Sequence, residues 1–207
     1  MSLNPPIRDW QGKRVWIVGA SSGIGAALAE ALALRGALLA LSGRRLEKLK
    51  AVSARIPGSV AIPLDVSEPH SILPALLQLL DLWDGVDVVV LNAGAYMPLC
   101  ASDLAVESAR TTFEINLMGV INGTAAVLPQ LLQQGDGAIV IVGSAAGFRG
   151  QPLALAYGAS KAAVINFAEG LYLNVAERGI GVFLVTPGHV ENALMGRKDW
   201  PIFQQRM

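Results

Sequence analysis

Tyr157 and Lys161 stand four residues apart in the run Tyr157-Gly158-Ala159-Ser160-Lys161. In a helix that spacing puts the phenol and the ammonium on one face. An ammonium beside a phenol favours the ionised ring oxygen, which suits the pair to giving or taking a proton. Alone the pair is weak, because tyrosine and lysine also stand four apart on ordinary helices. Neighbouring polar residues strengthen it. Ser144 follows the apolar run 138–142, thirteen residues before Tyr157. Asn92-Ala93-Gly94 follows the valine-rich run 86–91. Asn116 is an amide in an apolar helical pattern; it also reads as a capped or solvent-facing side chain.

A second constellation lies near the N-terminus. Gly19-Ala20-Ser21-Ser22-Gly23-Ile24-Gly25 joins an apolar run to a helical one. Gly19, Gly23 and Gly25 allow a tight turn, and with Ser21, Ser22 and Ile24 they lead into a helix N-terminus. Free N–H groups and the helix dipole favour an anion such as a phosphate there. The spacing G-x-x-x-G-x-G differs from the general dinucleotide fingerprint G-x-G-x-x-G, and a ligand-free glycine turn remains open. A carboxylate about twenty residues on would grip a ribose 2′-hydroxyl. Here the second apolar run ends instead in Arg44 and Arg45. Guanidinium groups fork onto phosphates, so these residues favour NADP over NAD, unless they simply begin a solvated helix.

The elements that must position these groups follow from periodicity. Continuous apolar runs at 14–18, 37–41, 60–64, 86–91, 138–142 and 182–185 predict six strands. Between them, helical patterns cover 24–35, 44–55, 72–82, 106–132 and 153–177, with Pro129 loosening the end of the fourth. Strands apolar throughout are buried on both faces, which predicts an α/β doubly wound parallel sheet. Ligands of such sheets sit beyond the carboxyl ends of the strands. That is where the glycine turn, Asn92 and Ser144 fall. No linker divides the chain, so 1–207 is expected to be one domain.

Composition narrows the partners. With 207 residues, 53% hydrophobic and 15% charged, the chain is long enough for a deep core. Sixteen basic and sixteen acidic side chains balance, which argues against nucleic acid. The charge-free stretch 115–135 carries Asn116, Asn122, Thr124, Pro129 and three glutamines, so no membrane span is expected. No signal-peptide pattern opens the chain. The single cysteine, Cys100, reads as a small, partly buried apolar residue and suits a reducing compartment, here expected to be the cytoplasm.

Taken together, Gly19-x-x-x-Gly23-x-Gly25, Asp65-Val66, Asn92-Ala93-Gly94, Asn116, Ser144, Tyr157-x-x-x-Lys161 and Pro187-Gly188 resemble the short-chain dehydrogenase/reductase family, over about residues 13–192. Each motif is modest, but their order and spacing are specific. The resemblance implies an NAD(P)-dependent oxidoreductase on a Rossmann-type fold. It implies that Tyr157 is the acid/base, and that Lys161 binds the nicotinamide ribose and tunes the tyrosine. Ser144 would hold the substrate oxygen, and Asn116 would anchor a water leading from Lys161 to solvent. Asp65 and Val66 would meet the adenine, Asn92, Ala93 and Gly94 its ribose, and Pro187 and Gly188 the nicotinamide. In NADP-preferring members a basic residue stands at the position of Arg44. The substrate would be a small carbonyl compound or alcohol, with no metal.

Three departures qualify the resemblance. Val18 replaces a usual threonine that ties the turn to its neighbour. After Pro187-Gly188 the run is His189-Val190-Glu191-Asn192, with Asn192 standing in for a carboxamide-binding threonine. His189 reads as an exposed loop residue and His70 as a surface residue at a helix start. Family members usually run to about 250 residues, so a substrate lid and a seventh strand are expected to be missing, leaving one sheet edge uncovered. The helical patterns 106–132 and 153–177 are apolar nearly all round, which predicts a homodimer or homotetramer through them. An NADP-binding sensor or scaffold without turnover, and an epimerase or dehydratase on the same fold, are the competing functions.

Overall fold

A computed structural model describes Asn4, residues 6–188 and Val190. Its strands are β1 (Arg14–Val18), β2 (Leu38–Gly43), β3 (Val60–Pro63), β4 (Val88–Leu91), β5 (Gly137–Val142) and β6 (Ile180–Val185). They form one six-stranded parallel sheet in the order β3-β2-β1-β4-β5-β6. The helices are α1 (Gly23–Ala33), α2 (Leu46–Ser53), α3 (Pro69–Trp83), α4 (Val106–Phe113), α5 (Gly119–Gln134) and α6 (Leu155–Val175). This is the expected doubly wound, Rossmann-type arrangement.

Alternate strand residues feed two cores. Val15, Ile17, Leu39, Leu41, Val88 and Val90 pack with Ala26, Ala29 and Leu32 of α1 and with Leu49 and Val52 of α2. Trp16, Val18, Ala40, Val89, Leu91 and Ile139 face the other way, onto α3, α5 and α6. Most strand residues are thus covered by a helix on one side or the other, Leu38, Pro63 and Val185 at strand ends being exposed, which is why no polar alternation marks the strands. Trp16 remains satisfied within its core, since its indole N–H donates to Ser42 Oγ at 2.9 Å. At the opposite end of β1, Arg14 grips Asp87 through two nitrogens, at 2.6 and 3.2 Å, and fixes β1 against β4.

The long helical pattern 106–132 is not one regular helix. It splits into α4, a π-helical turn at Glu114–Met118, and α5. Pro129 sits inside α5, exposed, and the helix runs on to Gln134 before Gly135 turns left-handed at φ +70°. The helical run Val106–Gln134 has the length and hydropathy of a membrane crossing, yet Ile115, Val120, Val127 and Leu131 pack into the core beneath the sheet. The last long helix begins at Leu155 rather than 153, because Leu153 adopts φ +58° in the preceding turn. Proline at N1 starts α3 at Pro69, three residues before the expected start, with His70 exposed in its first turn.

The outer edge of β6 is not bare. The side-chain amide of Asn4 donates to Val182 O and accepts from Val182 N, as a neighbouring strand would. The expectations for a lid, a seventh strand, His189 and Asn192 fall outside the described residues.

Candidate active site

The chain runs outward through β1, β2 and β3, then crosses back to β4, so the sheet reverses direction between β1 and β4. Loops leaving those two strands diverge and open a crevice at their carboxyl ends. A cavity of about 460 Å³ lies there and extends across the ends of all six strands.

The glycine turn forms its floor. Gly19 has φ +95°, and a Cβ on it would lie 2.5 Å from Ala93 N. A Cβ on Gly25 would lie 2.3 Å from Gly19 O. Only glycine lets β1, α1 and the loop after β4 approach so closely. Gly19 N and Ala20 N donate to Ser42 O at 2.7 and 2.9 Å, and Asn92 Nδ2 donates to Gly19 O at 2.8 Å. These bonds tie the turn to its neighbours on both sides without a hydroxyl at Val18. At the start of α1, Ser22 makes no side-chain cap bond and the first turn holds no acidic residue. Its N–H groups are therefore open to an anion.

At one end of the cavity stand Arg44 and Arg45, both exposed; Arg45 donates to Ser21 Oγ at 3.4 Å. Asp65 and Val66 line the same end. Asp65 Oδ1 accepts from Ser67 N at 3.0 Å and Ser67 Oγ at 2.7 Å, which fixes the loop after β3. Asn122 holds Val66 O at 3.0 Å, a support that the sequence pattern did not reveal.

At the other end stand Ser144, Tyr157 and Lys161, with Pro187 and Gly188. Ser144 caps a short 3-10 turn: its Oγ accepts from Ala146 N at 3.2 Å, and among the described residues its own proton remains to donate. Tyr157 and Lys161 share one face of α6, as their spacing requires. Lys161 is 4% exposed, and burial lowers its pKa to about 8. Its Nζ donates to Val142 O at 2.8 Å, the one protein acceptor it has among the described residues. A buried ammonium with donors to spare on the wall of a cavity suits a hydroxyl-bearing ligand. With the open α1 terminus and the two arginines, these groups fit a dinucleotide lying across the strand ends.

The remaining predicted residues divide. Ser21, Ser22, Gly23, Ile24, Asn92, Ala93 and Gly94 line the cavity; Gly25 and Asn116 do not. Asn116 is completely buried in the π-helical turn, so it is no solvent-facing amide. Its Oδ1 accepts from Ala95 N at 2.7 Å, and its Nδ2 donates to Ala95 O at 3.0 Å and Ser160 Oγ at 3.0 Å. Ser160 in turn donates to Tyr157 O at 2.8 Å. Asn116 therefore joins the loop after β4 to the helix carrying Tyr157.

Tyr96 is the residue that sequence reasoning missed. It lines the cavity and meets Tyr157 edge-on, with ring centroids 5.2 Å apart and planes at 88°. Burial raises the pKa of its phenol, and the nearby Tyr157 adds to the rise. Nothing in the local pattern distinguishes Tyr96, because its partner lies on a different element.

The short chain dehydrogenase family profile matches residues 13–200. A sorbitol dehydrogenase of Cereibacter sphaeroides is 37% identical over 182 residues, covering 87% of this chain and 71% of its own. The crystal structure of levodione reductase superposes with a TM-score of 0.87 at 26% identity, covering 89% of this chain and 74% of that one. NAD+-bound xylitol dehydrogenase superposes at 0.81 with 29% identity, covering 87% and 72%. The profile covers most of the chain and these relatives match it over most of their own length: the chain belongs to the short-chain dehydrogenase/reductase family of oxidoreductases.

Proposed function

We propose that the chain interconverts a carbonyl compound and its secondary alcohol with NADP(H), using Tyr157 as acid and base. The observation that supports this best is the charge layout of one cavity. Ser144, Tyr157 and Lys161 line one end, and Arg44, Arg45 and Ser21 line the other, with no carboxylate directly after β2. Paired guanidinium groups favour a ribose 2′-phosphate over a bare hydroxyl.

A cofactor held by Arg44, Arg45, the α1 N-terminus and Lys161 would supply hydride chemistry at the carbonyl carbon. Ser144 holds the carbonyl oxygen with the hydroxyl proton it has free. Tyr157 delivers a proton to that oxygen, so one hydride and one proton complete the alcohol. In the oxidative direction Tyr157 takes the proton back. Lys161, fixed by Val142 O, offers its other N–H groups to the nicotinamide ribose and keeps positive charge beside the phenol. Asn116 and Ser160 hold the loop at Ala95 and the backbone of Tyr157 at a constant separation. Asp65, Val66 and Asn92 to Gly94 receive the adenosine half.

We read the outer face of α6 as a contact between copies of the chain. Leu155 and Leu173 are 46% and 78% exposed there, with the small, exposed Ala159 and Ala162 between them.

The test is a fluorescence titration with NADPH, followed by its oxidation in the presence of ketones and aldehydes. Carbonyl-dependent oxidation that is lost in Tyr157→Phe is the expected result. Tight NADPH binding without turnover of any carbonyl would instead mark a sensor.

A further inference from the structure

Tyr157 sits in a small apolar cluster of its own. Ala146 and Ala154 are its buried neighbours, and Tyr96 is the partly buried side chain packed against them. Two alanines offer a phenol ring little contact, and the edge-on ring of Tyr96, 5.2 Å away, is its aromatic partner. Tyr96 is itself anchored. Its hydroxyl donates to Leu153 O at 3.3 Å, and the same carbonyl accepts from Leu99 N at 2.9 Å. Leu99 also bridges to Ala154. The loop after β4 is thereby stitched to the turn that launches α6, and Tyr96 bears on Tyr157 from a fixed base.

Among the described residues, the same end of the cavity presents no exposed charged side chain. Besides Tyr96, Ser144 and Tyr157, its described walls include Met97 and Val190, which are apolar. Of the charged cavity residues, Arg44, Arg45 and Asp65 follow β2 and β3, whereas Ser144 follows β5. Three strand steps at about 4.8 Å separate β2 from β5, roughly 14 Å. Lys161 is buried, with one N–H on Val142 O and the others assigned above to the nicotinamide ribose. A carboxylate or phosphate on the substrate would therefore find no exposed cation on the described walls of this end, which is costly.

We propose that Tyr96 is the specificity-determining residue of the carbonyl end: its ring positions that of Tyr157 and, with Met97, walls a subsite for uncharged, ring-bearing or hydrocarbon-flanked carbonyl compounds. The proposal rests on the reductase reading above. Tyr96 acts on the proton donor by position, and on the substrate by contact.

The test compares cyclohexanone with levulinate, a carboxylated ketone, using NADPH and wild type, Tyr96→Phe and Tyr96→Ala. Wild type should favour cyclohexanone in kcat/KM by at least ~10-fold. Tyr96→Ala should lower kcat for cyclohexanone by ~2–10-fold, the worth of an edge-on ring pair, raise its KM, and shrink the preference. Tyr96→Phe, which keeps the ring, should restore both. NADPH affinity should stay within about 2-fold of wild type throughout, since Tyr96 lies away from the adenosine end. If Tyr96→Ala does not fold, Tyr96→Leu keeps most of the bulk and serves the same comparison. A general packing defect would slow both ketones alike and leave their ratio unmoved. An unmoved ratio, or a wild-type preference for levulinate, overturns the proposal while leaving the reductase reading intact. Wild type that oxidises NADPH with neither ketone, nor with any other carbonyl, overturns both.

Discussion

Asn92 Nδ2 lies 2.8 Å from Gly19 O, and a Cβ on Gly25 would lie only 2.7 Å from that same nitrogen. One amide thus locks β4 to the glycine turn and, together with Gly19 O, leaves no room for a side chain at the third glycine. Gly25→Ala should push α1 away from the turn and misplace the N–H groups that face a phosphate. We expect NADPH affinity to fall by at least ~10-fold with a lower melting temperature. Asn92→Ala, which removes the bond without a clash, should cost about 1 kcal/mol and weaken NADPH less. Titration and thermal melts of both variants check this; a Gly25→Ala protein that binds like wild type would refute it.

Cofactor choice tests the arginine pair. NADPH should bind at least ~10-fold more tightly than NADH, as charge-assisted bonds to a phosphate predict. Arg44→Ala should narrow that gap, and so should rising salt, because both guanidinium groups are exposed. Equal dissociation constants for the two cofactors in wild type would remove the basis for the NADP assignment.

Proton transfer is tested at the phenol. Tyr157→Phe keeps the ring and its contact with Tyr96 but loses the acid. Turnover should fall by roughly 10²–10⁴ with NADPH affinity unchanged. Lys161→Ala should impair both, since the lysine serves ribose and tyrosine together.

Lys161 also carries a pH signature in the cofactor-free protein. Burial lowers its pKa to about 8, below the ordinary 10.5. The unfolded chain then holds the proton over a range where the folded one has released it, so this group makes stability rise with pH between those values. Below about pH 8 its buried charge opposes folding in full. Lys161→Met should therefore raise the melting temperature near neutral pH, and the gain should shrink as pH approaches 10.5. Calorimetry of both proteins across that range decides the matter; a gain that grows with pH would contradict it.

Assembly is tested on α6. Ala162 is exposed midway along that helix. Sedimentation should give wild type at least twice the 21.7 kDa chain mass, and Ala162→Glu should shift it toward the monomer. A wild-type monomer at micromolar concentration would dismiss the contact.

How much of this was legible beforehand differs from residue to residue. Tyr157 and Lys161 share a helix face because helical periodicity is a local property, readable from four residues. The glycine turn was equally legible, since its neighbours are an apolar strand and an amphipathic helix. Asn116 was legible as a candidate but not in its surroundings. Its partners lie 21 and 44 residues away in sequence, and only packing brings them together. The π-helical turn around it was hidden as well, because five residues are too short a window for a change of helical period to be read.

By itself the sequence determined the class of sheet, the order of its motifs and the end at which they meet. Continuous apolar runs admit little but a covered parallel sheet, and a parallel sheet gathers its loops at one edge. Tertiary structure alone decided the contacts between those loops. The clamp of Asn116 on Ala95, the edge-on pairing of Tyr96 with Tyr157, and the capping of Val182 by Asn4 each join segments far apart in the chain. Such pairings depend on how two packed surfaces come together, a relation that no window along the sequence contains.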